Sequence, residues 1–404
     1  MKILLITQYF WPENFRINDL ALDLQSKGYT VTVYTGFPNY PGGSVYSGYG
    51  IFGPYMEDYN GIKIKRIPLI PRGNSNRIQL VFNYLSFAMF SCIFILFRLR
   101  QNFDVIFVYE PSPITVCFPA ILIKKIKKIP VILWVQDLWP ESLSATGAVK
   151  SEFLLTIVNR LVNYIYHSCD LILVQSKAFI ESIKSFGIDG DRIRYFPNSA
   201  EKMYKPIANS NVDINNNLPD GFRIVFAGNI GAAQSMRTII DAADILKDQP
   251  LIQWVIIGQG RMKRWLEDEV KRRGLGKHIH LLGQKTLEEM PYYFSAADIL
   301  VATLKRDPIF SLTVPSKIQS YLACAKPIVV AIDGEVTNVI EESGAGIAVP
   351  AENAEELASA VITMYKMTVK ERKNMGASGR KYFEENFEGE KLVRQLEQWI
   401  HELA

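Results

Sequence analysis

The stretch TVPSKIQSYLACAKPIVV, Thr313 to Val330, decides how the rest of the chain is read. Pro-Ser-Lys suits the first turn of a helix, the small residues after it suit close packing, and PIVV opens a buried strand. Ser316 and Lys317 then sit at a helix mouth, where free backbone N–H groups and the helix dipole favour an anion. The strand before it, DILVAT, runs into Lys305 and Arg306, so three cations and a helix terminus converge where a diphosphate would fit. Read alone, Ser316 is equally well a helix cap and Lys317 a solvated lysine.

Outward from this point, short β-branched runs alternate with helical patterns. KILLIT, VTVYT, VIFVY, VILWV and LILVQ occupy the first half, and FRIVFAG, WVIIG, IHLLG, DILVAT and PIVVAI the second. Near-continuous apolar strands separated by helices imply parallel sheets covered on both faces. Between the sets lies the polar, Asn-rich SAEKMYKPIANSNVDINNNLPDG, Ser199 to Gly221, which reads as a domain boundary. The expected division is residues 1–200, residues 201–385, and a terminal helix over 386–404 whose Leu392, Leu396 and Ile400 recur at helical spacing.

The 404 residues are 48% apolar and carry a formal net charge of only +4, which argues for large cores and against nucleic acid as a partner. Cys92, Cys117, Cys169 and Cys324 are scattered in apolar runs and read as reduced buried thiols, as in the cytoplasm. His278 and His280 share one face of a strand with no third ligand in view, so no metal is expected. MKILLITQYF reads as a first strand rather than a leader peptide.

RIQLVFNYLSFAMFSCIFILFRLR, a helix over about 78–100, is long and apolar enough to cross a bilayer. Yet IKIKRIPLI before it and VIFVY after it both read as strands of one sheet, which a membrane cannot divide. Two readings remain: a helix buried all round, or one whose outer face docks on a membrane interface, with Lys124 to Lys128 (KKIKK) attracting anionic headgroups.

Candidate chemistry lies at strand ends. FAGNIGAAQSM places Gly228 after a strand and small residues before a helix, which lets backbone N–H groups approach a phosphate. GQGRMK after the next strand lacks the third glycine of a dinucleotide fingerprint, Lys263 standing in its place. VILWV ends in QDLWPES, bringing Gln136, Asp137 and Glu141 to a carboxyl edge, and VIFVY ends at Glu110. A carboxylate there accepts a proton from an attacking hydroxyl, or else caps a helix or pairs with a cation. YFWPENFRIN offers Glu13, Asn14, Arg16 and Asn18, and FPNYPGG supplies aromatic and turn residues suited to a sugar site.

Taken together, QYFWPE, FPNYPGG, QDLWPES, FAGNIG, TVPSKIQSYLACAKPIVV and ESGAGIAVP make the chain resemble the family 4 glycosyltransferases over essentially its full length. Within that family it is most similar to bacterial enzymes of O-antigen, capsule and colanic acid assembly, particularly transferases of N-acetyl-L-fucosamine. The resemblance implies the α/β GT-B fold, two doubly wound Rossmann-like domains facing a central cleft. It also implies a nucleotide sugar held by the C-terminal domain, an acceptor held by the N-terminal domain, no metal or other cofactor, and a last helix that crosses back.

Carried over by position, the resemblance gives Gly228 and Asn229 the start of the phosphate loop, Gln284 the nucleobase strand, and Ser316, Lys317 and Ser320 the donor helix. Many relatives have Arg and Lys where this chain has Asn229 and Gln234, so Arg306 and Lys317 become the candidate phosphate cations. Two glutamates of the family pattern are here Leu312 and Ser320. The family is regarded as retaining, which needs no protein nucleophile, whereas an inverting enzyme needs a base, for which Asp137, Glu110 and Glu13 are candidates. Asn14, Arg16 and Glu141 are the acceptor-side candidates.

The expected activity is transfer of an N-acetylated deoxyhexose from a UDP-sugar to a polyprenyl-diphosphate-linked saccharide. The enzyme would lie peripherally on the cytoplasmic face of the inner membrane. A nucleotide-sugar 2-epimerase of the same architecture and a non-catalytic subunit of a polysaccharide complex are the alternatives.

Overall fold

The computed structural model describes residues 1–50, 52–73, 77–98, 101–145, 151–207, 214 and 217–403, so part of the Asn-rich boundary segment lies outside the described residues. The chain forms two compact units, Met1–Pro197 with Glu390–Ala404, and Asn198–Gly389.

In the first unit, β1 (Lys2–Ile6), β2 (Thr30–Gly36), β4 (Ile62–Ile67), β5 (Val105–Glu110), β6 (Val131–Val135), β7 (Leu171–Val174) and β8 (Ile193–Tyr195) are parallel. β3 (Met56–Tyr59) adds an antiparallel edge, giving the order β3-β4-β2-β1-β5-β6-β7-β8. The order runs outward in both directions from β1 and β5, whose carboxyl ends therefore flank the crevice where such sheets place ligands. The apolar runs of β1, β5, β6 and β7 are buried on both faces, hence their lack of alternation. The connecting helices are α1 (Arg16–Ser26), α2 (Arg77–Arg98), α3 (Phe118–Lys127), α4 (Glu141–Ala145), α5 (Glu152–Ser168) and α6 (Phe179–Lys184).

The second unit is a six-stranded parallel sheet: β9 (Phe222–Ala227), β10 (Ile252–Ile257), β11 (Ile279–Gly283), β12 (Ile299–Thr303), β13 (Ile328–Ala331) and β14 (Gly346–Val349), ordered β11-β10-β9-β12-β13-β14. Its switch point falls between β9 and β12. Around it stand α7 (Met236–Ile245), α8 (Lys263–Arg272), α9 (Met290–Ser295), α10 (Pro308–Leu312), α11 (Ser316–Ala323), α12 (Glu335–Ser343), α13 (Ala354–Lys366) and α14 (Val369–Asn386). The final helix, α15 (Gly389–Leu403), presents Leu392, Val393, Leu396 and Ile400 to the apolar core of the first unit, beside Ile3, Val31 and Trp134. Lys27 pairs with Glu397 at 3.0 Å across that contact.

α2 meets the length and composition of a membrane span over Ile78–Ile95, but it is neither buried all round nor free of the sheet. Asn83, Phe87, Ser91 and Ile95 face inward, while Ile78, Val81, Phe82, Leu85, Met89 and Ile93 form an exposed apolar stripe at helical spacing.

Candidate functional site

In the second unit, the turn after β9 and the start of α11 meet at the switch point. Lys317 reaches back from the first turn of α11. Its Nζ donates to Gln234 Oε1 at 2.7 Å, stands 4.1 Å from the centre of the Phe226 ring, and would lie 3.0 Å from a Cβ placed on Gly228. No carboxylate pairs with it among the described residues, and burial lowers its pKa to about 7. Tyr321, one turn on, fixes the helix beneath the loop: its hydroxyl accepts from the Ala227 N–H at 3.1 Å.

The loops are sewn together by backbone bonds. The N–H groups of Gly228 and Ile230 donate to the carbonyls of Ile257 and Gln259 at 3.0 and 2.7 Å. The Lys305 N–H donates to Ala233 at 2.9 Å, and Thr303 Oγ1 donates to the Gln234 carbonyl. Gly258 has φ +150° and faces the Gly228 carbonyl where a Cβ would stand, so no other residue fits. Gly258→Ala is therefore expected to lower stability by about 1–3 kcal/mol, read as a drop in urea midpoint. Gly258 and Gly260 belong to the turn that failed the dinucleotide pattern. The signal that finds them is a strand followed by glycine in two neighbouring strands, FAG and IIG.

Other donor-side residues are placed differently. Ser316 is exposed and makes no capping bond, since Pro315 is the N-cap residue. Ser320 is buried and its hydroxyl donates to the Ser316 carbonyl at 3.3 Å, one turn back. Asn229 and Gln284 are exposed, the latter just beyond β11. Arg306 turns to its own surroundings: Nε meets Asp333 at 3.2 Å, Nη2 donates to the Ala351 carbonyl at 2.9 Å, and its N–H donates to Glu352. Lys317, not Arg306, is thus the cation set against the glycine turn.

In the first unit, three carboxyls stand near the carboxyl edge in three environments. Glu13 is buried; its Oε1 accepts the N–H groups of Asn39 and Tyr40, both at 2.7 Å, and clasps the FPNYPGG loop. Burial raises its pKa to about 7. Glu110 ends β5 with no exposure, and neither carboxyl oxygen has a hydrogen-bond partner among the described residues. Burial, reinforced by Asp137, pushes its carboxyl well above the usual range. Asp137, partly exposed after β6, accepts from Ser142 Oγ at 3.1 Å, and burial raises its pKa to about 6. It alone of the three joins solvent access to a pKa near neutrality, which suits proton transfer.

A carboxyl held neutral by folding destabilises the folded state once the unfolded chain ionises, so stability falls as pH rises above the usual glutamate range. Glu110→Gln removes that loss. Its Tm should exceed wild type at pH 8, and the gap should close near pH 4.

Among acceptor-side candidates, Asn14 is exposed, Arg16 lies close enough to Tyr109 to interact electrostatically, and Glu141 opens α4 with a buried Oε2 that has no hydrogen-bond partner among the described residues. Arg72 belongs to no motif and is placed by the fold alone. Its Nη1 donates to the Tyr9 hydroxyl at 2.6 Å, and its guanidinium lies 5.1 Å from the centre of the Tyr40 ring.

Two doubly wound sheets, one carrying a cation and glycine turns at its switch point and the other carboxyls at its carboxyl edge, have the architecture of the GT-B class. Comparison with known proteins gives the family. Residues 15–201 match "Glycosyltransferase Family 4" and residues 210–382 match "Glycosyl transferases group 1". The chain belongs to the family 4 glycosyltransferases and is a glycosyltransferase. It is 26% identical over 410 residues, covering 98% of both chains, to WcaI of Escherichia coli (strain K12), which carries the name of a colanic acid biosynthesis glycosyl transferase. Among solved structures it is similar to sucrose-phosphate synthase from Thermosynechococcus elongatus, with TM-score 0.78, 17% identity, and coverage of 100% of this chain and 98% of that one. Anabaena HepE in complex with UDP-glucose gives TM-score 0.71 at 16% identity, with both chains fully covered.

Proposed function

We propose that this glycosyltransferase moves a sugar, N-acetyl-L-fucosamine or a similar N-acetylated deoxyhexose, from a UDP-sugar to a polyprenyl-diphosphate-linked saccharide. The product feeds O-antigen or capsular polysaccharide assembly on the cytoplasmic face of the inner membrane. The observation that carries the reading is Lys317: an ammonium without a carboxylate partner among the described residues, aimed at the Gly228 turn at a sheet switch point. A half-buried cation in that state is favoured when an anion completes it. The colanic acid name of WcaI and the UDP-glucose bound by HepE support the polysaccharide and nucleotide parts.

In the proposed reaction the bond between the sugar's anomeric carbon and the β-phosphate oxygen breaks as an acceptor hydroxyl attacks that carbon. The departing charge is met by Lys317 and by backbone N–H groups of the glycine turns, the role a metal ion plays in other transferases. On the inverting course Asp137 receives the hydroxyl proton, whereas on the retaining course that the family resemblance implies the proton leaves with the diphosphate. A chelator should accordingly leave the rate unchanged.

The test is incubation of the purified protein with a panel of UDP-sugars and a synthetic polyprenyl-diphosphate saccharide. The expected result is UDP release with gain of one sugar mass on the lipid. Conversion of the UDP-sugar to an epimer without acceptor, or no UDP release from any pairing, would refute it.

A further inference from the structure

An open groove of about 590 Å³ lies between α2, α3 and α5, walled by Leu85, Met89 and Cys92, by Phe118 and Leu122, and by Tyr164. Its volume is that of a ligand pocket, and apart from Lys125 its walls are apolar or aromatic. It opens on the exposed stripe of α2, which α5 extends with Phe153 (72% exposed), Leu154 and Ile157. Exposed apolar residues on two helices flanking one groove mark contact with a protein or a membrane.

Charge and position single out the occupant. The groove begins at Leu85, next to Tyr84, whose ring centre lies 6.5 Å from that of Trp139 in the QDLWPES loop beside Asp137. Gln8 and Asn83 join at 2.7 Å, and Asn83 donates to the Ile70 carbonyl at 2.6 Å, so this end of α2 is fixed to the carboxyl edge of the sheet. Arg72 is held there by Tyr9 and lies close enough to Tyr84 to interact with it, and no carboxylate pairs with it among the described residues. At the far end stand Lys125, bonded to the Tyr164 hydroxyl at 2.8 Å, and Lys127 and Lys128. Of the lysines in KKIKK, Lys124 alone has a carboxylate partner among the described residues, Asp170.

A ligand fitting this layout is apolar along its length and anionic at the end next to Asp137. We infer that the groove holds the polyisoprenoid tail of the lipid acceptor, with its phosphate at Arg72, while Lys125, Lys127 and Lys128 face the headgroups of the surrounding leaflet. The inference rests on the lipid-linked acceptor proposed above and adds where that lipid lies. The groove thereby aligns the acceptor, with its sugar emerging at the carboxyl edge.

Cys92 reports on the groove directly, because it is half-buried in the wall whereas Cys117, Cys169 and Cys324 are buried. The full-length protein would be mixed with phosphatidylcholine vesicles containing a polyprenyl diphosphate, the neutral polyprenol, phosphatidylglycerol or no addition. The rate of Cys92 alkylation by N-ethylmaleimide is then followed by peptide mass. The polyprenyl diphosphate should slow alkylation severalfold, and the polyprenol less. Arg72→Gln should abolish the difference between the two. Leu122→Trp, which fills the groove, should remove the lipid dependence while the three buried cysteines stay unlabelled, which reports an intact fold.

Equal protection by phosphatidylglycerol, protection by none of the lipids, or an Arg72→Gln protein that still separates diphosphate from alcohol would overturn the inference. Protection is measured without turnover. Lipid protection in a protein that transfers no sugar would therefore count against the proposed reaction alone, and transfer without protection against the groove alone.

Discussion

Lys317→Ala should weaken UDP binding by about 1.5–3 kcal/mol, the worth of a hydrogen bond to a charged group, or roughly ten- to a hundredfold in Kd. The loss is expected to be large because Lys317 Nζ is the cation that approaches the Gly228 turn among the described residues, while Arg306 is engaged by Asp333 and the Ala351 carbonyl. Its bond to Gln234 makes a sharper test possible. Gln234 and Lys317 meet at 2.7 Å, so a lysine at 234 would carry its ammonium to nearly the same point. Gln234→Lys in the Lys317→Ala background should recover most of the affinity, whereas Gln234→Leu should not. A purely structural Lys317 would show no such exchange.

The same lysine gives binding a pH dependence of fixed sign. With its pKa lowered to about 7, the free side chain loses its proton above neutrality, while a bound diphosphate favours the charged form. UDP binding therefore takes up a proton at pH 8, and Kd rises with pH above about 7. Calorimetry in buffers of different ionisation enthalpy reads the uptake, and Lys317→Ala should abolish it.

Asp137→Asn should lower turnover by about 10²–10⁴-fold, the usual contribution of a positioned general base, and leave UDP affinity unchanged because Asp137 belongs to the other unit. The base works deprotonated, so wild-type turnover should fall as pH drops through about 6, and the variant should lack that limb. A limb near pH 7 that survives in the variant would point to Glu13 instead. An unchanged rate would mean the proton leaves with the diphosphate, as front-face attack requires.

Much of the fold can be read from residue order, because a parallel sheet covered on both faces demands uninterrupted apolar strands. VIFVY, VILWV and FRIVFA are such strands, and all three are hydrogen-bonded to parallel neighbours. β3, MEDY, escapes that reading: an exposed antiparallel edge strand has no apolar run to announce it. The orientation of α2 is also hidden, since its buried face mixes Asn83 and Ser91 with Phe87 and Ile95 while its exposed face is apolar, the reverse of the usual pattern, and only packing against the sheet tells one from the other.

The candidate site was legible by neighbourhood rather than by role. Strand ends point to Gly228 and Asp137, and a helix mouth points to Lys317, because sheet topology gathers the carboxyl ends of strands and the starts of the following helices on one edge. What one-dimensional order withholds is pairing at long range. By residue order Arg306 is as available as Lys317, and its pairing with Asp333 and the Ala351 carbonyl exists only in the fold. Glu110 looked as accessible as Asp137, yet it ends a central strand and is wholly buried. The need for Gly258 comes from a carbonyl on the neighbouring strand's turn, which no pattern of glycines within one segment encodes.

The most direct measurement is a crystal structure of the protein grown with UDP. Diphosphate oxygens are expected within hydrogen-bond distance of Lys317 Nζ and of the backbone N–H groups after Gly228, with Lys317 drawn from Gln234 onto phosphate. Nucleotide bound elsewhere, or bound here with Lys317 still on Gln234 and no phosphate within its reach, would contradict it.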